Sequence, residues 1–487
     1  MKDIGGKAFA VLLIGLFVAA IIKDIRVPLW LDEFLTLYAS EQPTIPDVIG
    51  AIREGADSQP PLYDLIVRSL HPVVANDALR VRLPAALGLF LMCACVFAFV
   101  RKHFPPIYAA LAAVVALRTT WNYAYEGRTY GLVLGCVSLA FVCWQRAAQT
   151  GQRRAVVGMG ISLTAAIALH YSAVMVLFAL FAGEFIRWRN SRKFSLPILS
   201  ALAIPPLILI PHLPLIQAGK PFVKYFWSKA TAATFYSFYI QMLWPVALVI
   251  GLSAVCSLWL ILLRFGRKDV TPKPQSTMPA HEWWAVLVLL LLPEFVILIA
   301  LLTVKVFVNR YVLSSMIGAS ILLAITLYRV TNGSRAVAAI VSLPLLVWSL
   351  STISSAVTQR PTPLHEGFKL ELSKAPADPK PIVFFEERAF MELSFYSAPG
   401  LRDRFVYLVD PELERYYTQT DTNSLTLLAL RRRVPLKIVD YHAFIAANPN
   451  FLVAGDSGEW IVPHLRHLNY LFIPLAHGLY EVRAPGS

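Results

Sequence analysis

Two adjacent carboxylates, Asp32 and Glu33, stand just beyond the first long apolar run, in the stretch Pro28-Leu29-Trp30-Leu31-Asp32-Glu33-Phe34. If that run crosses a bilayer, both lie at the lipid–water boundary, where ionised groups are costly to bury and mark functional sites. A solvated juxtamembrane pair is the competing reading, because charge at the ends of spans is common. Other polar groups gather at the ends of later apolar runs. Glu126-Gly127-Arg128-Thr129-Tyr130 opens the fourth, and His170-Tyr171 separates the fifth from the sixth. Lys220, Lys224 and Lys229 share a loop with Phe222, Tyr225, Phe226 and Trp227, while Lys305, Asn309 and Arg310 flank the start of the tenth. Carboxylates beside cations suit the transfer of a group from a lipid phosphate. The acid takes a proton from an attacking hydroxyl, and arginine or lysine pairs with the departing phosphate. Singly, each cation also reads as an interfacial anchor or the partner of a local acid, and His170 as a packed polar residue. A divalent metal would assist such a reaction, but no dense ligand cluster demands one.

These residues need elements to hold them, and the composition says which. Of the 487 residues 57% are hydrophobic and 15% charged, against about 25% charged in soluble domains. That is the composition of a polytopic membrane protein. Apolar runs cover Ala8–Ile22, Pro84–Val100, Pro106–Leu117, Thr129–Gln145, Ala155–Leu169, Ser172–Ile186, Leu196–Ile216, Met242–Leu263, Trp283–Val304, Tyr311–Tyr328 and Ala336–Ser351. The expectation is about eleven helices, several shorter than the roughly 20 residues of a straight span. The first run resembles a signal peptide but lacks a clear cleavage site before Lys23, so it is expected to stay as a helix.

The formal net charge of +14 is unevenly placed. With the N-terminus inside, the inner side holds Lys2, Lys7, Arg101, Lys102, Arg146, Arg153, Arg154, Arg187, Arg189, Arg192, Lys193, Arg264, Arg267, Lys268, Lys273, Arg329 and Arg335, against Asp3, Asp269 and Glu282. The positive-inside rule therefore puts Asp32, Glu33 and everything after about Ser354 on the outer face of a cell inner membrane. A nucleic-acid binder would concentrate its charge on a polar surface instead. Cys93, Cys95, Cys136, Cys143 and Cys256 all fall within apolar runs, so they read as small buried hydrophobes.

The outer loop 23–83 carries helical apolar spacing at Ile45–Ile49 and Pro61–Val67, expected as amphipathic helices on the membrane surface. The membrane domain is expected over 1–358. A soluble α/β domain is expected over 359–487, with strands at Pro381–Glu386, Arg404–Val409, Leu436–Val439 and Phe451–Ala454 and helices at Arg388–Ser397 and Tyr441–Ala447. No glycine-rich phosphate loop follows any of these strands, so no nucleotide is assigned.

Six motifs carry a resemblance. They are WLDEF, SQPPLYDLI (Ser58–Ile66), ALRVRLPAALG (Ala78–Gly88), YEGRTYGLVL (Tyr125–Leu134), LHYSAVMVL (Leu169–Leu177) and NRYVLSSMIGASIL (Asn309–Leu322). In this order they resemble the GT-C glycosyltransferases, in the branch of the protein O-mannosyltransferases and the aminoarabinose transferases acting on lipid A. The resemblance implies a polytopic GT-C helical bundle that moves a sugar, with inversion, from a polyprenyl-phosphate donor to a lipid, glycan or protein hydroxyl at the outer membrane face. It implies Asp32 as general base, with Glu33 orienting it or meeting the acceptor, and Glu126 as a second acidic site. Arg128, Tyr130, Arg310 and Tyr311 match positions near the donor phosphate and sugar. Charge and sidedness add Lys220 and Lys224 to that group, and His170, at the outer turn between the fifth and sixth runs, is placed with it. Relatives often carry histidine where this chain has Gln59, which weakens a base or metal role there and leaves Gln59, with Tyr63, as a contact for acceptor or sugar. A transporter or flippase is the alternative, but it would place its ionisable groups near the bilayer midplane, where only Glu294 stands out.

Overall fold

In the computed structural model every one of the eleven apolar runs falls on helix. The structure describes residues 4–57, 59–265, 276–359, 372, 380–455 and 460–486. Ser58 of the second motif and the expected inner-side charges Lys2, Asp3, Arg267, Lys268, Asp269 and Lys273 lie outside the described residues. Among the described residues seven helices are long and apolar enough to cross a membrane: Gly5–Arg26, Asp77–Arg101, Tyr130–Thr150, Tyr171–Ser191, Leu196–Ala218, Thr234–Leu262 and Arg335–Thr358. An eighth forms if Ala280–Leu290 and Leu292–Leu302, bent by 44° at their junction, act as one broken span. The expected runs at Pro106–Thr119, Arg153–Leu169 and Ser315–Val330 are helices too, but shorter. The chain is thus a mainly α, multi-pass membrane protein with a small C-terminal sheet.

Two compact units emerge. The first joins residues 1–24, 82–212 and 229–359 and holds the spans. Its backbones meet where side chains vanish. A Cβ built on Gly131 would stand 2.3 Å from the Ala85 carbonyl oxygen, and one on Gly135 would stand 2.4 Å from that of Gly88. Small residues four apart let helices Asp77–Arg101 and Tyr130–Thr150 touch main chain to main chain. Helix Tyr130–Thr150 also packs along Arg153–Leu169, Pro106–Thr119 along Ser315–Val330, and Val176–Ser191 along Ala280–Leu290. Glu282, counted above among the inner-loop charges, is fully buried. Its carboxylate accepts from Gln145 Nε2 at 2.7 Å and Gln149 Nε2 at 3.2 Å, and lies 2.9 Å from His103 Nε2. Buried charge is tolerated when partnered in this way.

The second unit joins residues 25–81, 213–228 and 360–487. The loop read above as part of the membrane domain packs here instead, against the C-terminal layer. That layer is a sheet of β1 (Ile382–Phe384), β2 (Phe405–Val409), β3 (Ile438–Asp440), β4 (Asn450–Ala454), β5 (Leu471–Ala476) and β6 (Leu479–Arg483), ordered β3-β2-β1-β4-β6-β5. The first four strands run parallel, and β6 joins β4 and β5 antiparallel. Helices Glu387–Tyr396 and Tyr441–Ala447 match the expected segments. Of three loop helices, Ile45–Glu54 and Leu62–Leu70 bury one face each, while Leu31–Ser40 is buried nearly all round from Glu33 onward. Phe34 is fully buried against Phe395 and Tyr396, with ring centres 5.4 and 6.4 Å away. Arg433 holds the loop from the other side, donating to Glu54 Oε1 at 2.6 Å and Oε2 at 2.9 Å.

Candidate active site

Within the first unit, one polar cluster forms where helices begin and end. Helix Pro106–Thr119 stops as Thr119 and Thr120 turn their hydroxyls back onto the Ala116 carbonyl, at 2.9 and 2.7 Å. A 3₁₀ turn, Trp121–Ala124, follows, and then the tight bend in which Arg128 N–H donates to the Glu126 carbonyl at 2.7 Å. That bend delivers Glu126 and the buried Arg128 just before helix Tyr130–Thr150 starts. Buried Thr129 fixes it in place, donating from Oγ1 to the Leu169 carbonyl at 3.0 Å. This bond also satisfies one of the open carbonyls at the end of helix Arg153–Leu169.

His170 ends that same helix in extended backbone and is held by the residue two further on. Its Nδ1 lies 2.7 Å from Ser172 Oγ, which in turn lies 2.8 Å from the Tyr311 carbonyl oxygen. A carbonyl only accepts, so the single hydroxyl proton of Ser172 goes to Tyr311. His170 must then donate from Nδ1, which leaves a lone pair on Nε2. The alternative, with Nδ1 accepting from Ser172 N–H at 3.3 Å, would leave the shorter 2.7 Å contact to Ser172 Oγ without a proton. Burial, and behind it the positive charges of Arg310 and Arg128, push the imidazole down to about 3, so the ring is neutral at physiological pH.

Arg310 arrives on the 3₁₀ turn Asn309–Val312. Its Nη1 stands 3.9 Å from Glu126 Oε1, an ion pair too long to be a hydrogen bond. The guanidinium carbon lies 5.4 Å from the centre of the Tyr130 ring, within cation–π range. The Tyr130 ring centre is 5.5 Å from that of His170, and His170 is 5.0 Å from Tyr311. Tyr123 meets Tyr130 edge to face, with ring centres 5.6 Å apart, and its hydroxyl is pushed up by burial and then by the Glu126 charge. The structure thus brings together six expected residues, Glu126, Arg128, Tyr130, His170, Arg310 and Tyr311. The sequence reading missed Ser172, Thr129 and Tyr123. Thr129 and Ser172 lie inside the motifs and Tyr123 two residues before one, and that placement was the only signal for them.

Near this cluster in the chain, Lys23 places Nζ 3.4 Å from the centre of the Tyr125 ring, and Arg82 Nη1 donates to the Asp24 carbonyl at 2.9 Å. Asp24 and Arg82 are buried. None of the three was singled out from the sequence.

The remaining expected residues lie in the second unit. Asp32 sits half-buried in the first turn of helix Leu31–Ser40, where the helix dipole favours a carboxylate. Glu33 is fully buried and accepts from Trp30 N–H at 3.1 Å, so it closes the helix start. Leu29 N–H donates to Tyr396 Oη at 3.1 Å and fixes the approach to that turn. Gln59 is buried, its backbone N–H donating to Asp57 Oδ1 at 3.2 Å. Tyr63 is buried as well, and its hydroxyl donates to the Val81 carbonyl at 2.8 Å. Lys220 and Lys224 are exposed on the short helix Lys220–Lys224. Lys224 Nζ lies 5.0 Å from the Tyr225 ring centre, which Arg415 approaches at 4.3 Å. Among the described residues no group of three or more His, Cys, Asp or Glu side chains is placed to hold a metal.

Comparison with known proteins gives one family match. Residues 58–214 match the model of the family described as dolichyl-phosphate-mannose-protein mannosyltransferase. Four of the six motifs fall within that stretch, and over it the resemblance to polyprenyl-phosphate-sugar-dependent glycosyltransferases is borne out. Among solved structures, the chain is similar to ArnT from Cupriavidus metallidurans bound to undecaprenyl phosphate, at 14% identity and TM-score 0.46, covering 100% of this chain and 99% of that one. The apo state of the same protein is similar at 13% identity and TM-score 0.43, over 98% of both chains. No curated protein matches the sequence.

Proposed function

We propose that this protein is a membrane glycosyltransferase that moves a monosaccharide from a polyprenyl-phosphate donor to a hydroxyl acceptor, with inversion, at the outer face of the inner membrane. The observation that carries the reading is the cluster around Arg310. Two arginines, one acid, a neutral histidine and two tyrosines meet at helix ends, with Glu126, Arg128, Tyr130 and His170 inside the matched stretch 58–214 and Arg310 and Tyr311 beyond it. Arg310 and Arg128 bind the donor phosphate and take up the charge that develops on it. Tyr130, Tyr311 and His170 Nε2 contact the sugar. Glu126, 3.9 Å from Arg310 Nη1, orients the guanidinium toward the phosphate.

Asp32 is the proposed base. It takes the proton of the acceptor hydroxyl as that oxygen attacks the anomeric carbon. The bond from that carbon to the phosphate oxygen breaks, and the polyprenyl phosphate leaves with the electron pair. One displacement at one carbon inverts it. Glu33 and Gln59 support the Asp32 segment, and Lys220 and Lys224 attract the anionic donor. Arg310→Gln separates this reading from a transporter. Transfer assays with a radiolabelled polyprenyl-phosphate sugar should show a fall in kcat/KM of about 10²–10³-fold, the usual cost of one oxyanion partner. Undiminished turnover would remove Arg310 from the chemistry.

A further inference from the structure

The first unit carries a second ligand-shaped feature, at the other end of the helix that follows His170. From His170 to Arg187 the chain climbs roughly 25 Å of helix, close to the thickness of a bilayer's hydrocarbon core. There a groove of about 420 Å³ opens between helices Val176–Ser191 and Leu196–Ala203. Phe181, Phe185, Trp188 and Phe194 form its apolar wall. Trp188 lies at the centre of that wall, with ring centres 5.7 Å from Phe185 and 6.1 Å from Phe194. Phe181, Phe185 and Phe194 are exposed.

The rim of the groove is cationic. Arg187 and Lys193 line it, and Arg189 and Arg192 stand on the same turn of chain. Glu184, the one acid there, is already committed. It accepts from Trp144 Nε1 at 2.6 Å and from Arg187 Nε and Nη2 at 2.9 and 2.7 Å. Arg187 is therefore locked in orientation, and among the described residues its Nη1 has no protein partner. Lys193, Arg189 and Arg192 make no ion pair among the described residues. Ser195, at the mouth of the groove, does not cap the helix it precedes.

We infer that this groove binds an anionic diacyl phospholipid of the leaflet opposite the Arg310 cluster, its acyl chains against the four aromatic rings and its phosphate between Arg187 Nη1 and Lys193. The charge complementarity makes the choice. A zwitterionic lipid would cover the aromatics equally well but would leave the cationic rim facing its own positive headgroup. Basic pockets between membrane helices recognise anionic headgroups in this manner, each cation near the surface adding a factor of about five.

The test uses the purified full-length chain, titrated in detergent with phosphatidylglycerol or phosphatidylcholine, with bound lipid counted by native mass spectrometry. Phosphatidylglycerol should be retained at least about fivefold better. Lys193→Gln, an exposed change that disturbs no packing, should lower that ratio by about fivefold. Arg187→Gln should do the same, and Trp188→Ala should weaken retention of both lipids. Equal retention of the two lipids, or a ratio unmoved by Lys193→Gln, would overturn the inference. So would displacement of phosphatidylglycerol by an equal amount of polyprenyl phosphate, which would reassign the groove to a single-chain lipid.

Discussion

The Arg310 guanidinium stands 3.9 Å from the Glu126 carboxylate and 5.4 Å from the Tyr130 ring centre, so an acid and an aromatic ring both flank it. In the proposed reaction this cation meets the donor phosphate. The fork geometry matters more than the charge, because a lysine ammonium cannot pair bidentately with phosphate. Arg310→Lys should therefore recover little of the activity lost in Arg310→Gln. Glu126→Gln should raise the KM for the donor more than it lowers kcat. Steady-state kinetics on the three variants separates these outcomes.

The Asp32 segment depends on a contact far away in sequence. Tyr396 Oη accepts from Leu29 N–H, just before the helix that carries Asp32. Tyr396→Phe removes that acceptor and should cost about 1 kcal/mol locally. Hydrogen exchange would show it as faster exchange at the Leu29 amide, with the sheet strands unaffected.

His170 supplies a pH test. Its folded value of about 3 lies below the ordinary 6.5. The unfolded chain thus binds the proton first as pH falls. The stability that comes from keeping the ring neutral is complete above pH 6.5 and is lost progressively toward pH 3. By pH 5 the loss is about 2 kcal/mol. Thermal unfolding in detergent at pH 7 and pH 5 should show a larger acid-induced drop in Tm for the parent protein than for His170→Gln. Equal drops would mean that the ring titrates normally.

The close approach at Gly131 positions the Glu126–Arg128 bend. A methyl group there would press on the Ala85 carbonyl, which belongs to backbone and cannot swing aside. Gly131→Ala should destabilise by about 1–3 kcal/mol, the usual range for overpacking, and should weaken donor binding. Gly251→Ala, at a helical glycine with nothing within 4 Å, should leave Tm within a degree or two of the parent.

Much of this architecture was legible from hydropathy. Helices sit under every apolar run because a bilayer forces backbone groups to bond within their own segment. Strands β1 to β4 were readable as short β-branched and aromatic runs between turn signals. The β5–β6 hairpin was not. Leu471–Ala476 contains Pro474 and is half-exposed along its length, so neither alternation nor a solid apolar run marks it. Nor does periodicity reveal that Glu54 meets Arg433, 379 positions away. In the site, charge against the sidedness trend pointed to Arg128 and Arg310. Ser172 escaped notice because serine beside histidine is ordinary in sequence, and only the Tyr311 carbonyl gives it a role.

The most direct test is the fate of the donor. The purified full-length protein is reconstituted in a bilayer with a polyprenyl-phosphate sugar labelled in the sugar, and free polyprenyl phosphate is measured over time. The account predicts release of polyprenyl phosphate by the parent protein, and a loss of about 10²–10⁴-fold in Asp32→Asn, with the variant still inserted and folded. Donor that is bound or moved across the bilayer with its sugar intact, or release undiminished in Asp32→Asn, would contradict it.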